Sequence, residues 1–112
     1  MPRRGKVYFR DSLAGLLEEN EEGYTFLYNE EYLNSADPLP VSLTLPLTGE
    51  RYFSRELFPF FDGLIPEGWL LDIATANWKL NPNDRMGLLL EFCRDTIGAV
   101  TVVPDRETDN DN

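Results

Sequence analysis

Three carboxylates that lie close together in the chain are the residues best suited to acid–base chemistry. Asp62, Glu67 and Asp72 fall within eleven residues of one another. Two carboxyl groups held in different environments can act as general acid and general base. The chain has 20 acidic residues in 112, however, so carboxylates also come close together by chance. We therefore expect solvated side chains here rather than a catalytic pair.

Other kinds of catalytic site lack essential residues. The chain has no histidine, which excludes Ser-His and Cys-His nucleophile pairs and most zinc sites. No glycine is followed by Lys-Ser or Lys-Thr, so a phosphate-binding loop is missing. Arg94-Asp95 matches part of a kinase catalytic loop without its histidine and asparagine, and a local ion pair or a helix-end cap explains it better. We expect no catalytic residue, no metal site and no cofactor, and therefore no enzyme.

The single cysteine, Cys93, is predicted to be structural. It lies among Leu89, Leu90 and Phe92, and with no second cysteine it cannot form an internal disulfide. A cysteine in such apolar surroundings is usually a buried, unreactive thiol.

Composition indicates a single acidic domain. The chain has 112 residues, 42% of them hydrophobic, and a formal net charge of −10. Its basic residues are scattered apart from Arg3, Arg4 and Lys6, so direct binding to nucleic acid is not expected. No apolar run approaches the roughly 20 residues that cross a bilayer, and no signal-peptide pattern follows the N-terminus. We expect a cytoplasmic protein without membrane contact, whose acidic surface suits a basic protein partner or serves solubility alone.

A bent junction between two helices is the central feature of the predicted fold. Leu57, Phe60, Phe61 and Leu64 have the spacing of one helix face. Glycine and proline then interrupt the pattern, and Pro66 in particular disfavours continuation of the helix. Trp69 follows directly, either as an exposed anchor for a partner or as a core residue of the next helix. The candidate partner-binding residues are Asp62, Gly63, Pro66, Glu67, Gly68 and Trp69.

The remaining elements follow from periodicity and turn residues. Apolar and β-branched runs predict strands at Lys6–Arg10, Leu13–Leu17, Tyr24–Tyr28, Val41–Leu47 and Ala99–Val103. Glu18–Gly23 is expected to be a solvated loop, and Glu30–Leu33 at most one helical turn. Ser54 is the predicted N-cap of the first helix, and the second helix is predicted at Glu67–Trp78. Asn81-Pro82 is the predicted start of the third helix. The residues of the third helix expected to point inward are Met86, Leu89, Leu90 and Cys93. The predicted core comprises Phe26, Leu43, Leu45, Phe61, Leu89, Phe92 and Val100. Residues 1–104 form the expected domain, and residues 105–112 an acidic, disordered tail.

Three blocks of the sequence resemble a known family. In order and spacing, Ser42–Leu47, Phe60–Glu67 and Arg94–Val100 are similar to the N-terminal subdomain of HipA-type serine/threonine kinase toxins of bacterial toxin–antitoxin systems. The likeness extends to Pro104. It implies an α+β fold, with a small antiparallel sheet or partial barrel and about three short helices.

The resemblance also carries an expectation about function. In HipA-type proteins this subdomain continues into a kinase core, whereas the present sequence stops after the last predicted strand, so no catalytic residue can be carried over. That arrangement is similar to the HipS-type antitoxins of three-part HipBST systems, in which the kinase, HipT, lacks this subdomain. The resemblance therefore implies an antitoxin that binds and inhibits a HipT-like kinase toxin, with a HipB-like DNA-binding protein as a further candidate partner. A subunit that completes and supports the kinase is the alternative, and an independent small enzyme is a third.

A mechanism of inhibition is suggested by the junction. In HipA-type proteins the subdomain packs against the N-lobe of the kinase, so a separate protein should use the same face. Trp69 could then reach the nucleotide or substrate site. Asp62 and Glu67 flank it and could pair with basic groups that a kinase uses on phosphates.

Overall fold

An open antiparallel sheet with three short helices makes up the part of the chain that the computed structural model describes, residues 3–65, 83–93 and 99–105. The five strands lie in the order β4-β3-β2-β1-β5. The predicted α+β class is confirmed, but within these ranges the sheet is open rather than a barrel. The strands are β1 (Arg4–Phe9), β2 (Ser12–Asn20), β3 (Gly23–Tyr28), β4 (Tyr52–Ser54) and β5 (Val100–Pro104). The helices are α1 (Glu30–Leu33), α2 (Pro59–Asp62) and α3 (Arg85–Phe92).

Strand β2 is longer than its sequence predicts. The first three predicted strands and the last are confirmed, but Glu18 and Glu19 continue β2 instead of opening a loop. Glu18 pairs with Arg4 at 3.1 Å, and Glu19 pairs with Arg3 at 2.7 Å. Because these arginines lie beside β2, they compensate the self-repulsion of the acidic run. The loop prediction was therefore wrong for the end of β2.

The turn between β2 and β3 requires a glycine. Gly23 has φ of +152°, a backbone conformation that side chains with a Cβ rarely adopt. A Cβ at Gly23 would also collide with the backbone oxygen of Ser54 in β4. The side chain of Asn20 closes the turn by accepting hydrogen bonds from the backbone N–H groups of Glu22 at 2.8 Å and Gly23 at 3.0 Å.

The segment predicted as a strand at Val41–Leu47 is instead a tight turn. Only an isolated bridge joins Ser42 to Leu45, and the Leu45 N–H donates to the Ser42 carbonyl oxygen at 3.0 Å. Val41 and Leu45 are buried, whereas Leu43 between them is 93% exposed. Prolines at both ends of the segment cannot donate to a ladder, which limits strand pairing.

The helix starts differ from those predicted. Ser54 lies in β4, so its prediction as an N-cap was wrong; α2 begins at Pro59, a residue whose fixed φ suits the first helical position. Helix α1 is the single turn that was expected. The N-cap of α3 is Asp84, whose carboxylate accepts a hydrogen bond from the Gly87 N–H at 3.1 Å. The predicted helix Glu67–Trp78, Asn81-Pro82, Arg94-Asp95 and the tail from residue 106 lie outside the described residues.

One hydrophobic core joins the sheet to the helices. The predicted core residues that are buried are Phe26, Leu45, Phe61, Leu89 and Val100, and Phe92 is partly buried. Leu43 is exposed, so its prediction as a core residue was wrong. The rings of Phe26 in β3 and Phe61 in α2 have centroids 5.5 Å apart, so aromatic contact holds α2 on the sheet. Other fully buried side chains are Val7, Ala14, Leu17, Met86, Leu88, Cys93 and Val102.

Arg3 connects the start of the sheet to α3. Its guanidinium donates to both carboxylate oxygens of Glu19, at 2.7 and 2.9 Å, and to both of Asp84, at 2.8 and 2.8 Å. Planar bidentate pairing of this kind is more specific than a single contact. The hydrogen bonds from Arg3 hold the pKa of Asp84 below its ordinary value of 3.8.

The pairing of Arg3 with Asp84 predicts that part of the protein's stability is lost at acidic pH. A carboxyl group whose pKa is lowered by folding stabilises the native state above its unfolded pKa, and that contribution is lost as pH falls. The free energy of unfolding should therefore decrease more steeply below about pH 4 in the wild type than in Asp84→Asn. Asparagine caps helices about as well as aspartate, so this variant removes the charge and retains a capping side chain. Denaturant titrations across the pH range measure both slopes, and equal slopes would contradict the assignment.

Candidate functional site

The start of the predicted junction is fixed in the core. Phe61 is fully buried and Ile65, the residue before Pro66, is 7% exposed. The Phe61 ring contacts Phe58 and Phe60 with centroids 6.1 and 5.1 Å apart. Of the predicted helix face, Leu57 and Phe61 are buried, whereas Phe60 and Leu64 are only partly buried. The predicted length was wrong, because α2 is one turn long and includes only Phe60 and Phe61 of these four residues. The chain enters the junction from a well-anchored position.

Asp62 holds α2 against α3. Its Oδ1 accepts a hydrogen bond from Arg85 Nε at 2.6 Å, with both side chains partly exposed. Asp62 was predicted to pair with a basic group of a kinase, but Arg85 of the same chain already pairs with it. A partner's cation would have to share Asp62 with Arg85 or displace Arg85 from it.

Leu64 and Cys93 make a second connection between the junction and α3. The Cys93 thiol donates to the Leu64 carbonyl oxygen at 3.4 Å. Burial raises the pKa of Cys93 to about 11, so the thiol stays protonated near neutral pH. The expectation of a buried thiol is confirmed, and a protonated sulfur is a poor nucleophile.

The structure describes two of the six candidate partner-binding residues. Asp62 ends α2, and Gly63 follows as its C-cap with φ −71° and ψ −13°, a helical conformation open to any residue. Gly63 is exposed, and its N–H donates to the Pro59 carbonyl oxygen at 2.9 Å. Pro66, Glu67, Gly68 and Trp69 lie outside the described residues, as does Asp72 of the carboxylate cluster.

The described ranges contain neither a cluster of metal ligands nor a membrane-spanning helix. Among residues 3–65, 83–93 and 99–105, no three histidine, cysteine, aspartate or glutamate side chains come together as metal ligands would. Within the same ranges, no helix has the length and apolar character needed to cross a membrane.

An apolar cleft that sequence analysis missed lies beside β2 and β3. It encloses about 490 Å³, and the residues that line it include Leu13, Leu16, Leu27, Leu33, Lys6 and Glu30. Leu16 and Leu27 are register partners on adjacent strands, and Lys6 is the partner of Leu16 on β1. Leu13 and Leu16 are three residues apart in β2, and the register with β1 shifts between them, because Val7 pairs with Gly15 whereas Tyr8 pairs with Leu13. A period-two sequence pattern does not place the two leucines on one face.

Comparison with known proteins assigns the domain. The family model described as the HipA N-terminal domain matches residues 5–103. A solved structure, the N-terminal domain of HipA toxin, superposes with a TM-score of 0.71 at 28% identity, covering 94% of this chain and 94% of that chain. An uncharacterized protein of Haemophilus influenzae is 32% identical over 105 residues, which are 94% of this chain and 95% of that protein.

Two longer relatives from Sinorhizobium fredii are named as kinases. "Putative kinase Y4mE" is 29% identical over 100 residues, and "Putative kinase Y4dM" is 32% identical over 96 residues. The matches cover 88% and 80% of this chain but only 24% of each of those proteins. The present chain therefore spans about a quarter of the length of these two relatives. The family model and the superposed structure agree over nearly the whole chain, which belongs to the HipA N-terminal domain family.

Proposed function

We propose that this protein is a HipS-like antitoxin that binds and inhibits a separate HipT-like kinase. The observation that carries the proposal is the size of the Haemophilus influenzae relative, which matches over 95% of its own length. The same kind of domain accounts for only 24% of each Sinorhizobium relative named as a kinase. The domain thus occurs both in small proteins and within proteins named as kinases, as expected if a separate copy binds a kinase that lacks it.

The anchored start of the junction supports a role of the following residues in binding the kinase. Phe61 and Ile65 fix the chain immediately before Pro66, and the ion pair of Asp62 with Arg85 fixes α2 to α3. An anchored base lowers the entropy that is lost when the following residues bind a partner. Pro66 to Trp69 are therefore proposed as the segment that reaches the kinase, with Trp69 as its anchor.

Electrostatics supports the same proposal. The chain carries a net charge of −10, and kinases bind phosphates with basic groups. Opposite charges accelerate association and make it dependent on salt. The complex is proposed to form in the cytoplasm, where a HipB-like DNA-binding protein is a further proposed partner.

A supporting subunit is the alternative function. In the two Sinorhizobium relatives, a domain of this family belongs to the same chain as the remainder of a protein named as a kinase. A separate copy could therefore complete the kinase fold and sustain turnover. Binding alone does not separate the two functions, but the effect on turnover does.

The test begins with a defined partner. The probe is a HipA-like kinase that lacks this N-terminal domain, to be taken from the genes adjacent to that of this chain and here called the cognate kinase. Isothermal titration should show a saturable complex, and measured activity should fall as the complex forms. A chain that does not bind the cognate kinase would contradict both functions, and a rise in activity would support the alternative.

A further inference from the structure

The most exposed large hydrophobic side chain among the described residues lies on a turn, not in a groove. Leu43 is 93% exposed, whereas Val41 and Leu45 on either side are buried. Packing of its neighbours therefore fixes the turn, while the Leu43 side chain contributes little to the core. Residues 42–45 are called the Leu43 turn below.

Short-range hydrogen bonds define the shape of the Leu43 turn. The Leu45 N–H donates to the Ser42 carbonyl oxygen at 3.0 Å, and the Thr44 N–H donates to Ser42 Oγ at 3.1 Å. The hydroxyl oxygens of Ser42 and Thr44 are 2.8 Å apart and hydrogen-bonded to each other. Because the two hydroxyls satisfy one another, covering them by a partner would leave neither without a hydrogen bond.

Tyr28 fixes both sides of the turn to the sheet. Its hydroxyl donates to the Leu45 carbonyl oxygen and accepts from the Val41 N–H at 3.0 Å. Burial raises the pKa of Tyr28 to about 12, so the hydroxyl remains a donor near neutral pH. The buried hydroxyl thus bridges backbone atoms two residues before and two residues after Leu43.

Two further tyrosines hold the flanks of the segment. The Tyr32 hydroxyl donates to the Leu39 carbonyl oxygen at 2.6 Å, and the Tyr52 hydroxyl donates to the Pro46 carbonyl oxygen at 2.7 Å. With Tyr28, three side chains from α1, β3 and β4 hold one loop. A loop ordered in this way loses little further conformational entropy when it binds.

The charge pattern singles out the same segment. Residues 38–49 contain no charged residue, although 27% of the whole chain is charged. The centres of protein–protein interfaces are depleted of charged residues in the same way. A fixed turn with an exposed leucine and no charge fits an apolar pocket on a protein surface.

We propose that the Leu43 turn inserts Leu43 into an apolar pocket on the cognate kinase. This inference rests on the proposed function and adds a second contact to Trp69. The choice of a kinase as the partner rests on the relatives. The matches cover 24% of each Sinorhizobium protein, so there a domain of this family is joined in one chain to a much larger remainder of a protein named as a kinase. In the proposed complex, the separate kinase takes the place of that remainder, and a pocket on the kinase covers the Leu43 side chain.

The test measures affinity for the cognate kinase by isothermal titration. Leu43→Ala should raise Kd at least about tenfold, as expected for a central anchor. Leu43→Met retains apolar volume and should bind within about threefold of the wild type. Phe53→Ala is the matched control, because Phe53 in β4 is also exposed, at 55%, and lies outside the uncharged segment. This control should leave Kd within about twofold, the range of a neutral surface change.

The outcomes separate this inference from the proposed function. Thermal midpoints should be unchanged in Leu43→Ala, since the side chain is 93% exposed. If the wild type does not bind the kinase, both the proposed function and this inference are contradicted. If the wild type binds and Leu43→Ala binds equally well, only the inference is overturned. Unchanged kinase affinity with a shift from dimer to monomer in sedimentation would assign the turn to a second copy and also overturn it.

Discussion

Leu89→Ala is expected to lower the free energy of unfolding by about 2–5 kcal/mol, the usual cost of truncating a fully buried leucine. Leu89 is 0% exposed in α3, and Met86 in the same helix and Cys93 at its C-cap are also fully buried. Removal of its side-chain carbons leaves a cavity that the surrounding core can close only in part. Denaturant titration at neutral pH measures the loss.

Leu43→Ala is the matched control for that measurement. The substitution is the same, but Leu43 is 93% exposed, so the free energy of unfolding should change by no more than about 0.5 kcal/mol. A loss below about 0.5 kcal/mol for Leu89→Ala would show that α3 does not pack as described.

The contrast between these two leucines shows what the sequence could predict. The helical spacing correctly predicted that Met86, Leu89 and Cys93 are buried, because the period of a helix fixes which residues share a face. Leu90, also predicted to point inward, is only partly buried, and the fully buried Leu88 was not predicted. Leu43 was misplaced because alternation with hydroxyl residues is typical of a half-buried strand. The three tyrosine hydroxyls that hold this turn come from distant segments, which no local pattern reveals.

Electrostatic pairing was also beyond local patterns. The acidic run at the end of β2 suggested a loop, but Glu18 and Glu19 lie in register with β3 and their carboxylates pair with Arg4 and Arg3. For the same reason, Asp62 was assigned to a partner while its internal contact with Arg85 was missed. The three sequence blocks nevertheless identified the family correctly, since their order and spacing are set by the whole fold.

Trp69→Ala is expected to weaken binding to the cognate kinase by about 2 kcal/mol or more while leaving the domain folded. The reason is that indole buries a large area and dominates contacts in desolvated pockets. The sequence places Trp69 three residues after Pro66, beyond the anchored Ile65. Isothermal titration gives the affinity, and circular dichroism melting monitors the fold.

The competing interpretation of Trp69 makes a different prediction. If Trp69 belongs to the core, the alanine variant will melt earlier, and its weaker binding will follow from instability. Trp69→Phe provides the matched control, because it retains an aromatic ring and should recover much of the affinity in a contact role. A folded Trp69→Ala variant that binds and inhibits as well as the wild type would exclude the proposed anchor.

Phosphate transfer by the cognate kinase, titrated with this protein, tests the central claim most directly. Labelled ATP measures turnover of the kinase alone, of this chain alone, and of their mixtures at increasing ratios. We expect no transfer by this chain alone, and kinase turnover that falls with the bound fraction to near zero at saturation. Turnover that is unchanged or raised when the kinase is saturated with this chain would contradict inhibition.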